Sequence, residues 1–402
     1  MMSDTGAAPK LRFPEFRDAE GWKEKKLKNL GALVPGLTYR PSDVRNEGLL
    51  VLRSSNIQNG LIDLEDQVFV RTDVKGANLS RPDDILICVR NGSKPLIGKN
   101  ALIPEGLPLC THGAFMTIFR STAPKFTFQL FQTDAYTNQV TADLGATINS
   151  INGGNFLNYR FHVPSPPEQQ KIADCLTSVD DLITAETQKL EALKAHKKGL
   201  MQQLFPREGE TKPRLRFPVF RDAGDWEEKK LRKICTMNAG EFVPASKIAE
   251  TAEDGLFSCY GGNGLRGFTE TYTHQGTFSL IGRQGALCGN IALAKGKFHA
   301  TEHAIVTSPK DGTLTNWLYY QLIRLDLNQY ATGQAQPGLS VKNLNEITVP
   351  IPKDEGEQQR IADCLISVDD LITAEARKLE ALKDHKKGLM QQLFPTGDEV
   401  SG

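Results

Sequence analysis

EQQKIADCLTSVDDLITAETQKLEALKAHKKGLMQQLFP, residues 168–206, recurs at 357–395 with an offset of 189. Of its 39 positions five differ (171/360, 177/366, 187/376, 188/377 and 195/384), so 34 are identical. Apolar residues fall at Ile172, Leu176, Val179, Ile183, Leu190, Leu193, Leu200 and Leu204. The steps of four and three mark a heptad seam, with Glu186 and Lys197 in its two remaining frame positions. The copy repeats the seam at Ile361, Leu365, Val368, Ile372, Leu379, Leu382, Leu389 and Leu393. Pro166 and Pro167 stand just before the expected helix start and Pro206 closes it. The spacing predicts a helix of about 37 residues, roughly 55 Å long at ~1.5 Å rise. Core helices of globular domains seldom exceed ~25 residues, which favours a long coiled-coil spacer.

Charge argues the orientation. A parallel pair in register sets Glu186 against Glu375 and Lys197 against Lys386, two like-charge contacts in the seam. The seam is symmetric about position 188, so an antiparallel pair also keeps register. It matches Ile172 with Leu393, Leu176 with Leu389, Ile183 with Leu382 and Val179 with Lys386. Antiparallel pairing is predicted.

A shorter repeat precedes each half: LRFPEFRDAEGWKEKKL at 11–27 returns as LRFPVFRDAGDWEEKKL at 215–231. The blocks between, roughly 28–165 and 232–355, share almost nothing beyond a closing V-P-x-P, Val163 to Pro166 and Val349 to Pro352. Two frames are the same and two inserts differ. This is not a solenoid of uniform short units. Duplicated frames need a common partner or a common packing role, and divergent inserts need two ligands or two halves of one; recent duplication alone also accounts for the identity. The expected division is a globular domain over 1–165, a helix over 166–206, a second domain over 207–355, a second helix over 356–395 and a tail over 396–402.

Lys plus Arg and Asp plus Glu each total 48, excluding a polycationic or acidic-tail protein but not a local basic face. The blocks carry 13 basic to 11 acidic residues over 28–163 and 11 to 9 over 232–353, so nucleic-acid binding has to rest on local clusters. With 39% hydrophobic and 24% charged residues the chain can bury a core. No apolar run approaches the ~20 residues of a membrane span, and MMSDTGAAPK lacks a signal-peptide apolar region. Seven cysteines without a C-x-x-C pair fit a reduced, cytoplasmic chain without a zinc cluster.

Both blocks read as short β-rich runs broken by Gly, Asn and Pro, among them 84–94, 114–120, 276–296 and 303–309, with late helical candidates at 126–140 and 315–330. An α+β domain is expected twice. Arg53-Ser54-Ser55-Asn56 follows a strand in an expected turn. Arg90-Asn91-Gly92-Ser93-Lys94, with Lys99 nearby, combines base-reading side chains with a glycine that permits close backbone approach. In the second block Asn263 and Arg266, then Arg283 and Gln284, have the same character, and Gln334 and Gln336 supply amides able to pair with adenine. Each such loop is also an ordinary turn.

His299-Ala300-Thr301-Glu302-His303 matches the inverted zinc-peptidase pattern, but the run alternates like a strand, leaving His303 as a DNA-facing candidate instead. No phosphate-binding G-x-x-x-x-G-K-[ST], no G-x-G-x-x-G and no adenine-methyltransferase signature is present. No catalytic residue and no metal ligand is proposed.

At these residues a resemblance enters. The start E-Q-Q-x-I-A-x-x-L, the end K-x-G-L-M-Q-Q-L-F-P, their second copy and the alternation of like frames with unlike inserts resemble the specificity (S) subunit of type I restriction–modification enzymes. The likeness covers nearly the whole chain. Ala146 to Ser150 and RNGSKPLIGK in the first block, with YGGNGLRGF, LIGRQGALCGN and ATEHA in the second, are similar to that family's target-recognition domains. The resemblance implies two α+β recognition domains separated by an antiparallel pair of conserved helices that fixes the gap in a bipartite, asymmetric double-stranded DNA site. It implies two methyltransferase (M) subunits docked on the helices, with restriction (R) subunits in the full complex. S-adenosylmethionine, ATP and Mg would then belong to those partners, with no cofactor in this chain. The alternatives are a DNA-recognition subunit of a related phage-defence system, a coiled-coil scaffold that binds only proteins, and a single-chain modifying enzyme.

Overall fold

The computed structural model describes residues 7–144, 149–285, 287–333 and 337–395. The chain divides into two compact units, one running to Thr187 and resuming at Lys378, the other spanning Gln188–Arg377. The long helices are Pro166–Leu204 and Glu355–Leu393, so each unit holds half of each. Pro166 and Pro167 lie inside the first turn, not ahead of it. First-turn N–H groups have no intrahelical acceptor, so proline sacrifices nothing there. The second helix begins at Glu355, one residue before the expected start. No described helix is long and apolar enough to cross a membrane.

In the first unit Ile172, Ala173 and Leu176 bury in one cluster with Leu393 and Phe394, and Leu389 packs at its edge. In the second, Leu204 and Phe205 cluster with Ile361 and Leu365, with Leu200 at the edge. The helices therefore run antiparallel in each unit. Every seam residue is buried or half-buried. Lys386 pairs with Asp180 at 2.6 Å and Lys378 with Glu186, while Lys197 pairs with Asp369 at 2.6 Å and Lys189 with Glu375. All four seam charges thus face an opposite charge. A cysteine pair at Ile172 and Leu393 is expected to crosslink on mild oxidation, seen by mass spectrometry as one disulfide-linked peptide pair; its absence contradicts the pairing.

The short repeat explains why the frames are alike. Its Lys23–Lys26 strand pairs antiparallel with Arg160–Val163, the strand leading into the first helix. Glu227–Lys230 pairs in the same way with Thr348–Ile351 before the second. Arg12 grips Glu168 and Arg216 grips Glu357, both at the start of a helix. Trp22 packs edge-on against Phe394 with ring centroids 6.0 Å apart, and Trp226 against Phe205 at 6.1 Å. Each frame therefore joins the start of one helix to the end of the other copy around one buried tryptophan.

The unlike blocks fold alike. In the first unit Gly31–Pro35, Met116–Ser121, Ile85–Cys88 and Asn100–Leu102 form one antiparallel sheet, and Leu49–Leu52 pairs in parallel with Cys110–His112 in another. In the second a single six-stranded sheet orders Cys235–Ala239, Ala304–Pro309, His274–Gly282, Ile291–Ala300, Phe257–Gly261 and Gly264–Thr269. The difference is local. Ile291–Ala300 runs unbroken, whereas its counterpart in the first unit is cut between Leu102 and Cys110 by Pro104 and Pro108, which have no N–H for the ladder.

Both helical candidates are shorter than expected. The first splits into Pro124–Leu130 and Asp134–Asp143 because the Thr133 side chain caps a new start, accepting from the Tyr136 N–H. The second ends at Arg324, followed by Asp326 at a left-handed φ of 44° and a short 3-10 turn.

Candidate nucleic-acid interface

In the first unit the loops after Leu49–Leu52 and Ile85–Cys88 meet. The Asn91 amide donates to Ser54 Oγ at 3.1 Å and its oxygen accepts the Ser93 N–H at 3.0 Å, tying the loops together. Arg90, Ser93 and Lys94 are exposed on this surface. The Arg90 guanidinium lies 5.7 Å from the Phe115 ring centroid. Arg53 is half-exposed and pairs with Asp66 at 2.6 Å.

One expected contact does not belong there. Asn56 is fully buried: its oxygen accepts the Arg53 N–H and its nitrogen donates to the carbonyls of Asp63 and Asp66. With every amide group committed inside the turn, it shapes the loop and cannot read a base edge. Lys99 is half-buried and donates one of its three N–H groups to the Ile57 carbonyl at 3.1 Å.

In the second unit Asn263, Arg266, Gln284 and His303 line one concave cavity of about 620 Å³ together with Leu265 and Leu287. Gln284 Oε1 is 3.0 Å from His303 Nδ1, and Asn290 donates to Asn263 Oδ1 at 2.6 Å. The other His303 nitrogen lies 3.1 Å from Glu302. Gly282 lets this loop close: any Cβ there would collide with the Gly262 carbonyl oxygen. Arg283 lines an adjoining cavity of about 440 Å³ with Thr332, Ser340 and Lys342. Gln334 and Gln336 lie outside the described residues.

His299 ends a strand and its ring bonds Thr271 Oγ1 and the Glu241 carbonyl, whereas His303 follows in a turn. The two imidazoles lack the shared helical face that the zinc motif requires. Burial pushes the Cys88 and Cys259 thiols up, away from the thiolate a nucleophile needs.

Three exposed apolar side chains at these surfaces were not singled out by sequence: Phe115 at 58%, Leu265 at 54% and Leu287 at 51%. Alternation puts Phe115 on the side of Thr117 and Phe119, both buried, and so suggests core. It is exposed because the strand begins only at Met116.

Comparison with known proteins adds to this geometry. The family model described as type I restriction modification DNA specificity domain matches residues 19–195 and again 223–384. The chain belongs to that family. Among its relatives, the specificity subunit of the type I restriction enzyme EcoprrI from Escherichia coli is 43% identical over 151 residues, 37% of each chain. The StySPI specificity subunit of Salmonella potsdam is 31% identical over 184 residues, 43% of this chain and 39% of that one. This specificity-domain chain thus aligns with about two fifths of the length of those relatives. A putative MjaX specificity subunit from Methanocaldococcus jannaschii is 25% identical over 404 residues, 93% of each chain. The fold is shared with the crystal structure of a type I restriction–modification S subunit from M. genitalium, with a TM-score of 0.68, 18% identity and coverage of 97% of this chain and 99% of that one.

Proposed function

We propose that the chain is the non-catalytic, DNA-reading S subunit of a type I restriction–modification complex in the cytoplasm. Each recognition domain reads one half of a bipartite, asymmetric double-stranded DNA site, and the paired helices set the gap. One methyltransferase subunit docks on each frame, and restriction subunits join the full complex. S-adenosylmethionine, ATP and Mg act in those partners.

The observation that carries this reading is two recognition blocks of one topology with unlike exposed polar side chains on two like frames. Like frames suit one partner bound twice, and unlike loops suit two different half-sites. Packing explains much of the repeat's identity but not all. Leu182 and Leu371 hold the same repeat position and are each 53% exposed, an apolar side chain on the outward helix face in both copies.

The test is selection from randomised duplex DNA by the chain assembled with its methyltransferase partner, expected to return one bipartite site. Enrichment of no site returns the protein-only scaffold. Arg283→Ala is expected to cost ~1–3 kcal/mol of binding and to relax one position of the site. A uniform loss over all sequences places its side chain on a phosphate.

A further inference from the structure

Arg90 and Gln284 hold one place in two domains that share almost no sequence. In the first unit Cys88 pairs with Met116, and Val89 accepts at its carbonyl from the Ile151 N–H at 2.9 Å. Arg90 then bridges Ser150 and donates its N–H to the Phe115 carbonyl at 3.1 Å. In the second unit Gly282 pairs with Ala304, and Arg283 accepts from the Leu339 N–H at 2.8 Å. Gln284 then bridges Gly338. The Val89 N–H donates to the Phe115 carbonyl at 3.0 Å as the Arg283 N–H does to the His303 carbonyl at 2.8 Å. Strand partner, bridge and carbonyl acceptor all agree, so position 90 corresponds to 284 and position 115 to 303.

The correspondence extends to the side chains. Both residues are exposed, and each contacts the ring at the corresponding neighbour: Arg90 over the Phe115 ring, Gln284 hydrogen-bonded to the His303 Nδ1. A long polar side chain steadied by a ring has fewer rotamers open to it, which lowers the entropy lost on contact. The chemistry of the two differs. A guanidinium fork matches O6 and N7 of guanine, and a carboxamide matches N6 and N7 of adenine. The Gln284 oxygen has a second lone pair for the adenine amino group beside the His303 bond.

We infer that Arg90 and Gln284 are the paired base-reading residues of the two domains, Arg90 specifying a guanine in one half-site and Gln284 an adenine at the corresponding place in the other. This rests on the proposed DNA-reading function and adds which residues distinguish the halves.

The test uses the full chain with its methyltransferase partner and reads methylated motifs by single-molecule sequencing. Arg90→Gln is expected to change a guanine to adenine, or to relax it, in one half only. Gln284→Arg is expected to alter an adenine in the other half only. Should either exchange abolish methylation, binding decides: 7-deaza substitution of the motif's purines one at a time, guanines for Arg90 and adenines for Gln284, is expected to weaken wild-type binding on the order of tenfold at one position and to leave Arg90→Ala or Gln284→Ala, respectively, unaffected there. Either exchanged variant methylating the unchanged wild-type motif overturns the inference. So does an Arg90→Ala loss that is uniform across sequences, which places Arg90 on phosphate. A wild-type complex that recognises no bipartite site removes the proposed function, and this inference with it.

Discussion

Glu168→Ala is expected to cost the first unit about 3–5 kcal/mol, the usual penalty for removing one partner of a buried ion pair. Glu168 and Arg12 side chains are 1% and 10% exposed. The carboxylate accepts from Arg12 Nε and Nη2, both at 2.8 Å, and from the Trp22 indole N–H at 3.2 Å. Arg12 Nη1 and Nη2 also donate to the carbonyls of Ala19 and Glu20 at 2.8 and 2.9 Å. Removing the carboxylate strands a charge and two sets of donors at the point where short repeat and helix start meet. The copy repeats the arrangement: Glu357 takes Arg216 at 2.6 and 2.7 Å and Trp226 at 3.3 Å, so Glu357→Ala is expected to weaken the second unit equally. Urea denaturation followed by tryptophan fluorescence measures both. The double replacement of Arg12 and Glu168 by leucine is expected to cost less than Glu168→Ala alone, because no charge is left without its partner. A loss below about 1 kcal/mol for Glu168→Ala is the range of an exposed pair and contradicts the buried pairing with Arg12.

Leu365→Ala is the second large effect. Leu365 is 0% exposed in a cluster with Leu204, Ile361, Trp317 and Trp226, so truncation leaves a cavity among rings and helix at an expected cost of about 2–5 kcal/mol. Leu176→Ala, at the same repeat position and also 0% exposed, is expected to act equally on the first unit. Leu371 supplies the contrast on the same helix. At 53% exposed, its replacement by alanine is expected to change stability by no more than about 0.5 kcal/mol while weakening capture of the methyltransferase subunit. Thermal denaturation and co-purification of the partner separate the two outcomes. Equal destabilisation by Leu371→Ala and Leu365→Ala places Leu371 in the core and removes its part in docking.

The long helices and their antiparallel sense were legible because the signals are strong and repeated. A seam of heptad spacing fixes the buried face, and the like-charge contacts that Glu186 and Lys197 make in a parallel pair favour the antiparallel one. The packing role of the short repeat was not legible. Arg12, Trp22 and Glu168 are far apart in sequence, and no spacing rule links an arginine to a carboxylate 156 positions away. At the loops, residue type alone did not separate Asn56, whose amide is used inside its own turn, from Asn91, which ties two loops beneath an exposed surface. The correspondence of Arg90 with Gln284 was hidden by insertions. Its offset of 194 matches neither the 189 of the long repeat nor the 204 of the short one, and only the strand partners reveal it. The broken strand had a signal in Pro104 and Pro108, but nothing in the sequence paired that region with unbroken Ile291–Ala300.

The most direct measurement is single-molecule methylome sequencing of cells carrying this chain with its methyltransferase partner, compared with cells lacking the chain. The proposed reading of DNA by both domains predicts one new motif of two unlike half-sites at a fixed gap, with methyladenine in both halves. No new motif, with both proteins present and assembled, would contradict it.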